Sequence, residues 1–390
     1  MSDHIDTRLS AQITDSRSFS LLYFFSAKRK QTELTAPVFP LEIIEQICEF
    51  LFAIVPPKSY TDISLLSRKP LWSDVSGFMG TAPEFHAMGY VRWVRILKVC
   101  TPDDWERISQ LAHLVLELDC LDGVFTAKVP KDILTRFPHL RAVSVNAHKD
   151  VVRQDSGQFA YRSLFKSLPP SLLRLEITCA HGPDLKFIEA ARDSCPGLLV
   201  LRLGRCTMFN RSPACEFWKA FPFDHDAYIA AVGTDDYAHS VAQALASLPQ
   251  LKALRLGVYF MHSTIVLAHR VYHMRGLAEP VPVEWQQALL DLQGTPIAVP
   301  PERPDSAPLV DFYHRLDESE LSFGPESCTS CHESFQPSRG AERRANTILK
   351  ELLPELEVVE WMDWFSPSHT GVSQHSVGNM VTAQPTDTQE

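Results

Sequence analysis

The stretch Pro138-His139-Leu140-Arg141-Ala142-Val143-Ser144-Val145 sets the pattern for most of the chain. A proline is followed, one residue later, by an apolar side chain, with two more apolar side chains three and five positions further on. The same spelling returns at Pro170, Leu172, Leu175 and Ile177, and at Pro196, Leu198, Leu201 and Leu203. It returns again at Pro249, Leu251, Leu254 and Leu256, and at Pro354, Leu356, Val359 and Trp361. A residue preceding proline is pushed out of the helical region, and proline itself cannot donate a ladder bond. The dipeptide therefore ends a helix and launches a strand. Apolar side chains at alternate strand positions share one face, which a neighbouring layer must cover.

Upstream of the prolines the periodicity predicts helical stretches: Ile133 with Leu134, Tyr161 to Leu168, Leu185 to Arg192, Val241 to Leu248, and Ile348 to Leu353. Val91 to Val99 and His113 to Leu118 read as strands without the preceding proline. Successive copies start 32, 26, 53 and 105 residues apart, so the array is irregular and carries insertions. The largest insertion, 275-340, is rich in proline and is expected to be a protruding loop; the polar tail 366-390 is expected to be disordered.

Composition narrows the function. The chain has 390 residues, 45% hydrophobic, with 28 Pro against 16 Gly and a formal charge of -10. Glycine-built phosphate cradles and the nucleophile elbow are absent from the sequence, and His332-Glu333 continues Ser334-Phe335-Gln336, which is no zinc-protease helix. An acidic chain with pI near 5.8 argues against a nucleic-acid partner, whose capture rests on neutralising phosphates. No apolar run approaches the roughly 20 residues of a spanning helix. Leu21 to Phe25 is too short for a signal core, and Lys28, Arg29 and Lys30 follow it on the wrong flank. The expectation is a cytoplasmic and/or nuclear protein with no membrane association. Its nine Cys then read as reduced thiols.

Residues 1-36 are polar and aperiodic and read as a flexible arm. Next comes Phe39-Pro40-Leu41-Glu42-Ile43-Ile44-Glu45-Gln46-Ile47-Cys48-Glu49-Phe50-Leu51. Pro40 suits a helix start, the acids favour its positive end, and Ile43, Ile44, Ile47 and Leu51 fall on one face. Pro56-Pro57 stops this helix, and a second short one is expected over Tyr60 to Arg68, ahead of Pro70.

The segment Phe39 to Leu51 resembles the opening of an F-box, and the proline-launched units look like the divergent leucine-rich repeats of fungal F-box proteins. The resemblance implies an α/β fold: an irregular leucine-rich-repeat solenoid over 90-365, preceded by a small all-helical F-box-like module over 37-75. It also implies a substrate-recognition adaptor without catalytic residues or cofactor. Such an adaptor binds a Skp1-type protein, and through it a cullin complex, by the F-box, and a target protein by the repeats. Carried onto this sequence, the adaptor-facing residues are Pro40, Leu41, Ile44, Ile47, Leu51 and Leu65, with Trp72 in a less regular position. The alternative is a repeat scaffold that binds proteins without any link to ubiquitin.

Between the buried positions, strand residues alternate outward: Ser144, Glu176, Arg202, Arg255 and Glu360 make a central row, Arg174 lies in the row before it, and these charged residues form a candidate target-binding surface. Arginine forks suit carboxylate or phosphate; the competing reading is that these charges pair with one another. Cys328-Thr329-Ser330-Cys331-His332 spells half a zinc site, with two thiols lacking a metal as the simpler outcome. Asp224 or Asp226 is expected to cap a helix beginning near Tyr228.

Overall fold

The computed structural model describes residues 40–156, 159–206, 217, 228–262, 329–366 and 371–378. The chain divides into two compact units, Met1–Ile47 and Cys48–Glu390. Helix α1 is Leu41–Leu51. The larger unit continues with α2 (Trp72–Thr81), α3 (Pro83–Trp93), β1 (Ile96–Val99), α4 (Asp104–Ser109), β2 (Glu117–Cys120) and β3 (Ala142–Asn146). A hairpin of β4 (Val151–Arg153) and β5 (Phe159–Tyr161) precedes β6 (Arg174–Ala180). Then follow α5 (Asp184–Ser194), β7 (Val200–Arg205), α6 (Thr234–Leu245), β8 (Ala253–Leu256), α7 (Thr329–Leu352), β9 (Val358–Asp363) and β10 (Gly371–Ser376).

Eight strands make one sheet in the order β1-β2-β3-β6-β7-β8-β9-β10, parallel throughout except for the antiparallel β9–β10 pair. Each of the five proline-launched segments forms one of its parallel strands. Their apolar residues, from Leu140, Val143 and Val145 to Leu356, Val359 and Trp361, are buried in a single core together with Ile188, Val241 and Leu349 of the crossover helices.

The expected solenoid is overturned. Among the described residues only the strand recurs: the connections hold a six-residue helix, a 3-10 turn at Ile133–Arg136, a hairpin, and helices of 11, 12 and 24 residues. Tyr161 to Leu168, read as helical, holds the end of β5 and irregular backbone. Helix α7 extends over Pro337 into what reads as the insertion, and β10 lies in the segment expected to be a disordered tail. The face of the sheet expected to stand open is covered by residues 57–68, as described below.

The all-helical module is overturned as well. After α1 the chain runs irregularly through the expected second helix, tied by a lone bridge between Val55 and Arg68. Tertiary contacts outweigh local propensity in this stretch. Leu65 packs on Val200 and Ala253, and Ser67 donates from its backbone N–H and its hydroxyl to the two oxygens of buried Glu117, both at 2.6 Å. Two helices that the sequence pattern does not announce, α2 and α3, pack through Val75, Met79, Phe52, Tyr90 and Trp93. Gly89 permits the close approach, since a Cβ there would lie 2.7 Å from Phe52 Cζ.

Candidate functional site

Helix α1 places the expected adaptor-facing residues unevenly. Pro40 accepts backbone bonds from Ile43 and Ile44 and is exposed, as are Leu41 (60%) and Ile47. Ile44 is only 4% exposed and Leu51 is half-buried, so neither belongs to an accessible face. Leu65 is buried on the sheet and is withdrawn from any docking role. Trp72 sits edge-on to Trp93, with ring centroids 5.1 Å apart. What α1 does present is Ile43, Ile47 and Phe50, at i, i+4 and i+7, with Phe50 83% exposed. A helix of a folded chain ordinarily turns such residues inward, so this is an apolar stripe on the wrong side for a core.

The expected target-binding row exists as a row: Ser144, Glu176, Arg202, Arg255 and Glu360 are successive partners across five strands. It is largely consumed within the protein. Ser144 donates to Glu176 at 2.8 Å, and Arg255 pairs with buried Glu360 at 2.6 Å. Buried Arg202 donates to the carbonyls of Tyr60 (2.5 Å), Asp62 (2.7 Å) and Ile63 (3.3 Å) of the covering segment, with Glu176 3.5 Å away. Desolvation first, then Arg255, pull the Arg202 guanidinium below its ordinary pKa, against the pull of Glu176 and Glu360. Arg174 pairs with Glu117 at 2.6 Å. Arg202 and Glu360 are therefore removed from the expected reading surface. Arg174 borders a cavity of about 420 Å³ that Tyr60, Ser64, Leu65, Val200 and Arg202 also line.

Of the Cys-x-x-Cys-His segment, Cys328 lies outside the described residues, Cys331 is described only as backbone of α7, and His332 is exposed on that helix. Asp224 and Asp226, the expected helix caps, also lie outside the described residues, as do the basic cluster Lys28 to Lys30 and residues 263–328 of the insertion region. Cys100, Cys120 and Cys195 are free thiols. Burial raises the thiol of Cys195 to about 12 and that of Cys120 well above its ordinary value, so both stay protonated and unreactive.

A different cluster joins Cys206, which the sequence offers only as a distant ligand for Cys328 and Cys331, to His148 and His181, which the sequence reading passed over. Their ligand-type atoms all lie within 4.8 Å of one another. Each follows the end of a parallel strand: His148 two residues after β3, His181 one after β6, and Cys206 one after β7. Residues just beyond the carboxyl ends of parallel strands are where α/β sheets carry their sites. The signal was available in the spelling already quoted. The third to fourth residue after the last apolar position of three neighbouring copies is His148, His181 or Cys206.

No known protein family matches the sequence, and no curated protein matches it either. Among the described residues, no helix is long and apolar enough to cross a membrane.

Proposed function

We propose that the chain is a non-catalytic receptor that docks a Skp1-type adaptor through the exposed stripe of α1 and presents a target protein to a ubiquitin ligase. The observation that carries the reading is the exposure of Leu41, Ile43, Ile47 and Phe50 on the helix whose sequence resembles the opening of an F-box. Fully burying an exposed side chain of this size contributes about 1.5–3 kcal/mol, and a partner covering these residues gains the share of that which their exposure of 40–83% leaves. The docking surface is narrower than in the resemblance, because Ile44 and Leu65 are spent inside the fold. On the target side, Arg174, two residues before the charged row on β6 and paired with Glu117, borders the cavity that we assign to a ligand.

Co-purification of the full chain with a Skp1-type protein tests this. The wild type should be retained, and Ile47→Asp combined with Phe50→Asp should lose at least about 100-fold in affinity, since two apolar anchors are replaced by charges. Val152→Asp, an exposed apolar residue on the hairpin, should bind like the wild type. The reading falls if the wild type captures no Skp1-type protein under conditions where an authentic F-box does. Concentration-dependent self-association abolished by the same double substitution would instead assign the stripe to a scaffold without a ubiquitin link.

A further inference from the structure

We propose that His148, His181 and Cys206 bind one zinc-class divalent ion that clamps the carboxyl ends of β3, β6 and β7. Three features of the fold converge on this, and none depends on the adaptor reading.

The first is the way the backbone delivers the ligands. Ala180 of β6 is in register with Arg205 of β7, and Cys206 donates its N–H to the Ala180 carbonyl at 2.9 Å, so His181 and Cys206 are the next residues on adjacent strands. That alignment requires a bulge: between Ile177 and Ala180 the register shifts, and Cys179 takes φ 55°, the one non-glycine residue at positive φ among those described. Bulges re-aim side chains, and a β-region cysteine forced into the left-handed region costs on the order of 1 kcal/mol or more. Without the extra residue His181 would point to the opposite side of the sheet.

The second is the orientation of the His181 ring. His181 Nδ1 is 3.0 Å from Asp150 Oδ1, and both side chains are fully buried. Asp150 also accepts the backbone N–H of His181 (3.1 Å) and that of Gly182 (2.7 Å), which fixes the carboxylate before the ring arrives. His148 Nδ1 is 3.6 Å from Asp122 Oδ2. A carboxylate behind Nδ1 directs the Nε2 lone pair outward, which is the arrangement that supports metal-bound histidine. His181 thus has a hydrogen-bonded aspartate behind it, while Asp122 stands near His148 beyond hydrogen-bond distance and adds a negative charge to the cluster.

The third is composition and enclosure. Two imidazoles and a thiolate make a borderline-soft donor set suited to zinc rather than to calcium or magnesium, which take oxygen ligands. A tetrahedral ion with bonds of about 2.0–2.3 Å holds its ligands roughly 3.3–3.8 Å apart, and ligand atoms lying within 4.8 Å of one another close in by at most about 1.0–1.5 Å to reach that. Phe217 lies over the His181 ring with centroids 4.7 Å apart, and Phe159 of the β4–β5 hairpin packs on Phe217 at 5.7 Å. The hairpin thus shields the cluster, and a bound ion would fasten the insertion between β3 and β6 to the sheet.

Metal analysis of the full chain after incubation with zinc, and titration with Co(II), read the proposal directly. The expected result is about one ion per chain and a thiolate-to-Co(II) charge-transfer band. Cys206→Ser should abolish the band while far-ultraviolet circular dichroism stays that of the wild type. His148→Gln, at the more exposed rim of the cluster, should weaken Co(II) binding at least about 100-fold, and it carries the decision if Cys206→Ser does not fold. Cys328→Ser with Cys331→Ser should leave stoichiometry and band unchanged. Folded wild type that takes up less than about 0.1 ion per chain overturns the proposal. So does a band that survives Cys206→Ser, or one that disappears with Cys328 and Cys331. Ion content is independent of Skp1 capture, so the two proposals stand or fall separately.

Discussion

On one face of the sheet the strands present Val143, Leu175, Leu201, Leu254 and Val359; one residue along, on the other face, the same strands present Ser144, Glu176, Arg202, Arg255 and Glu360. The aliphatic face is buried and covered by helices. The charged face is covered too, by an irregular segment whose carbonyls, serines and one leucine are matched to the groups beneath them. The difference teaches that polarity in a strand does not decide exposure. A covering layer without regular structure leaves backbone carbonyls unpaired, and a buried arginine fork is the side chain best able to satisfy several at once.

The comparison predicts that the aliphatic face fails by cavity and the charged face by loss of polar satisfaction. The largest effect should come from Trp361→Ala. The indole is fully buried, packs edge-on against Phe260 at 4.6 Å and donates to Asn346 at 2.8 Å. Its removal should cost about 4–5 kcal/mol, most of it from the cavity, read as a fall in the urea midpoint. Next should come Arg202→Ala, at about 3 kcal/mol, because it strands the carbonyls of Tyr60 and Asp62 and leaves Glu176 without its cation. The two can be told apart by where the structure opens. Arg202→Ala should speed amide exchange selectively in residues 57–68, whereas Trp361→Ala should raise exchange across the sheet. Equal exchange in both variants would break the distinction between the faces.

How much of this was legible in the sequence follows from which forces are local. The proline-launched strands were legible, because proline geometry and alternation act within eight residues, and each of the five segments forms a strand. Helix α5 was legible for the same reason, its amphipathic period lying between Pro183 and Pro196. Residues 57–68 were not, because their conformation is fixed by Glu117 and Arg202, about 50 and 140 residues away in the chain. Helix α7 was legible only at its end, over Ile348 to Leu352; its beginning reads as part of the proline-rich insertion, although the helix continues on either side of Pro337. The charged row was legible as a row; its burial was not, since alternation says which residues share a face and nothing of what covers it. The histidine-cysteine cluster was written at the strand ends but became visible only once the parallel order placed those ends side by side.

The smallest effect concerns a cation just beyond the covering segment that burial treats differently from Arg202. Lys69 donates to the Ile96 carbonyl at 3.2 Å and lies 3.9 Å from the centre of the Trp93 ring. Desolvation lowers its pKa to about 8. The unfolded chain holds the same proton up to about 10.4, so the sign is fixed: the folded state binds the proton less tightly. Below the folded value both states are charged and the full burial penalty is present. As the pH rises from about 8 towards 10.4, folded Lys69 loses its proton first, the penalty is relieved, and this residue's contribution to stability increases. Lys69→Met removes the penalty at every pH but forfeits the carbonyl bond and the ring contact, which leaves a net gain of about 1 kcal/mol at pH 7. Urea unfolding at pH 7 and again near pH 9.5 should therefore show the variant ahead at neutral pH, with the gap closing at alkaline pH. A gap that does not change with pH would mean that Lys69 keeps its proton in the fold as an exposed lysine does.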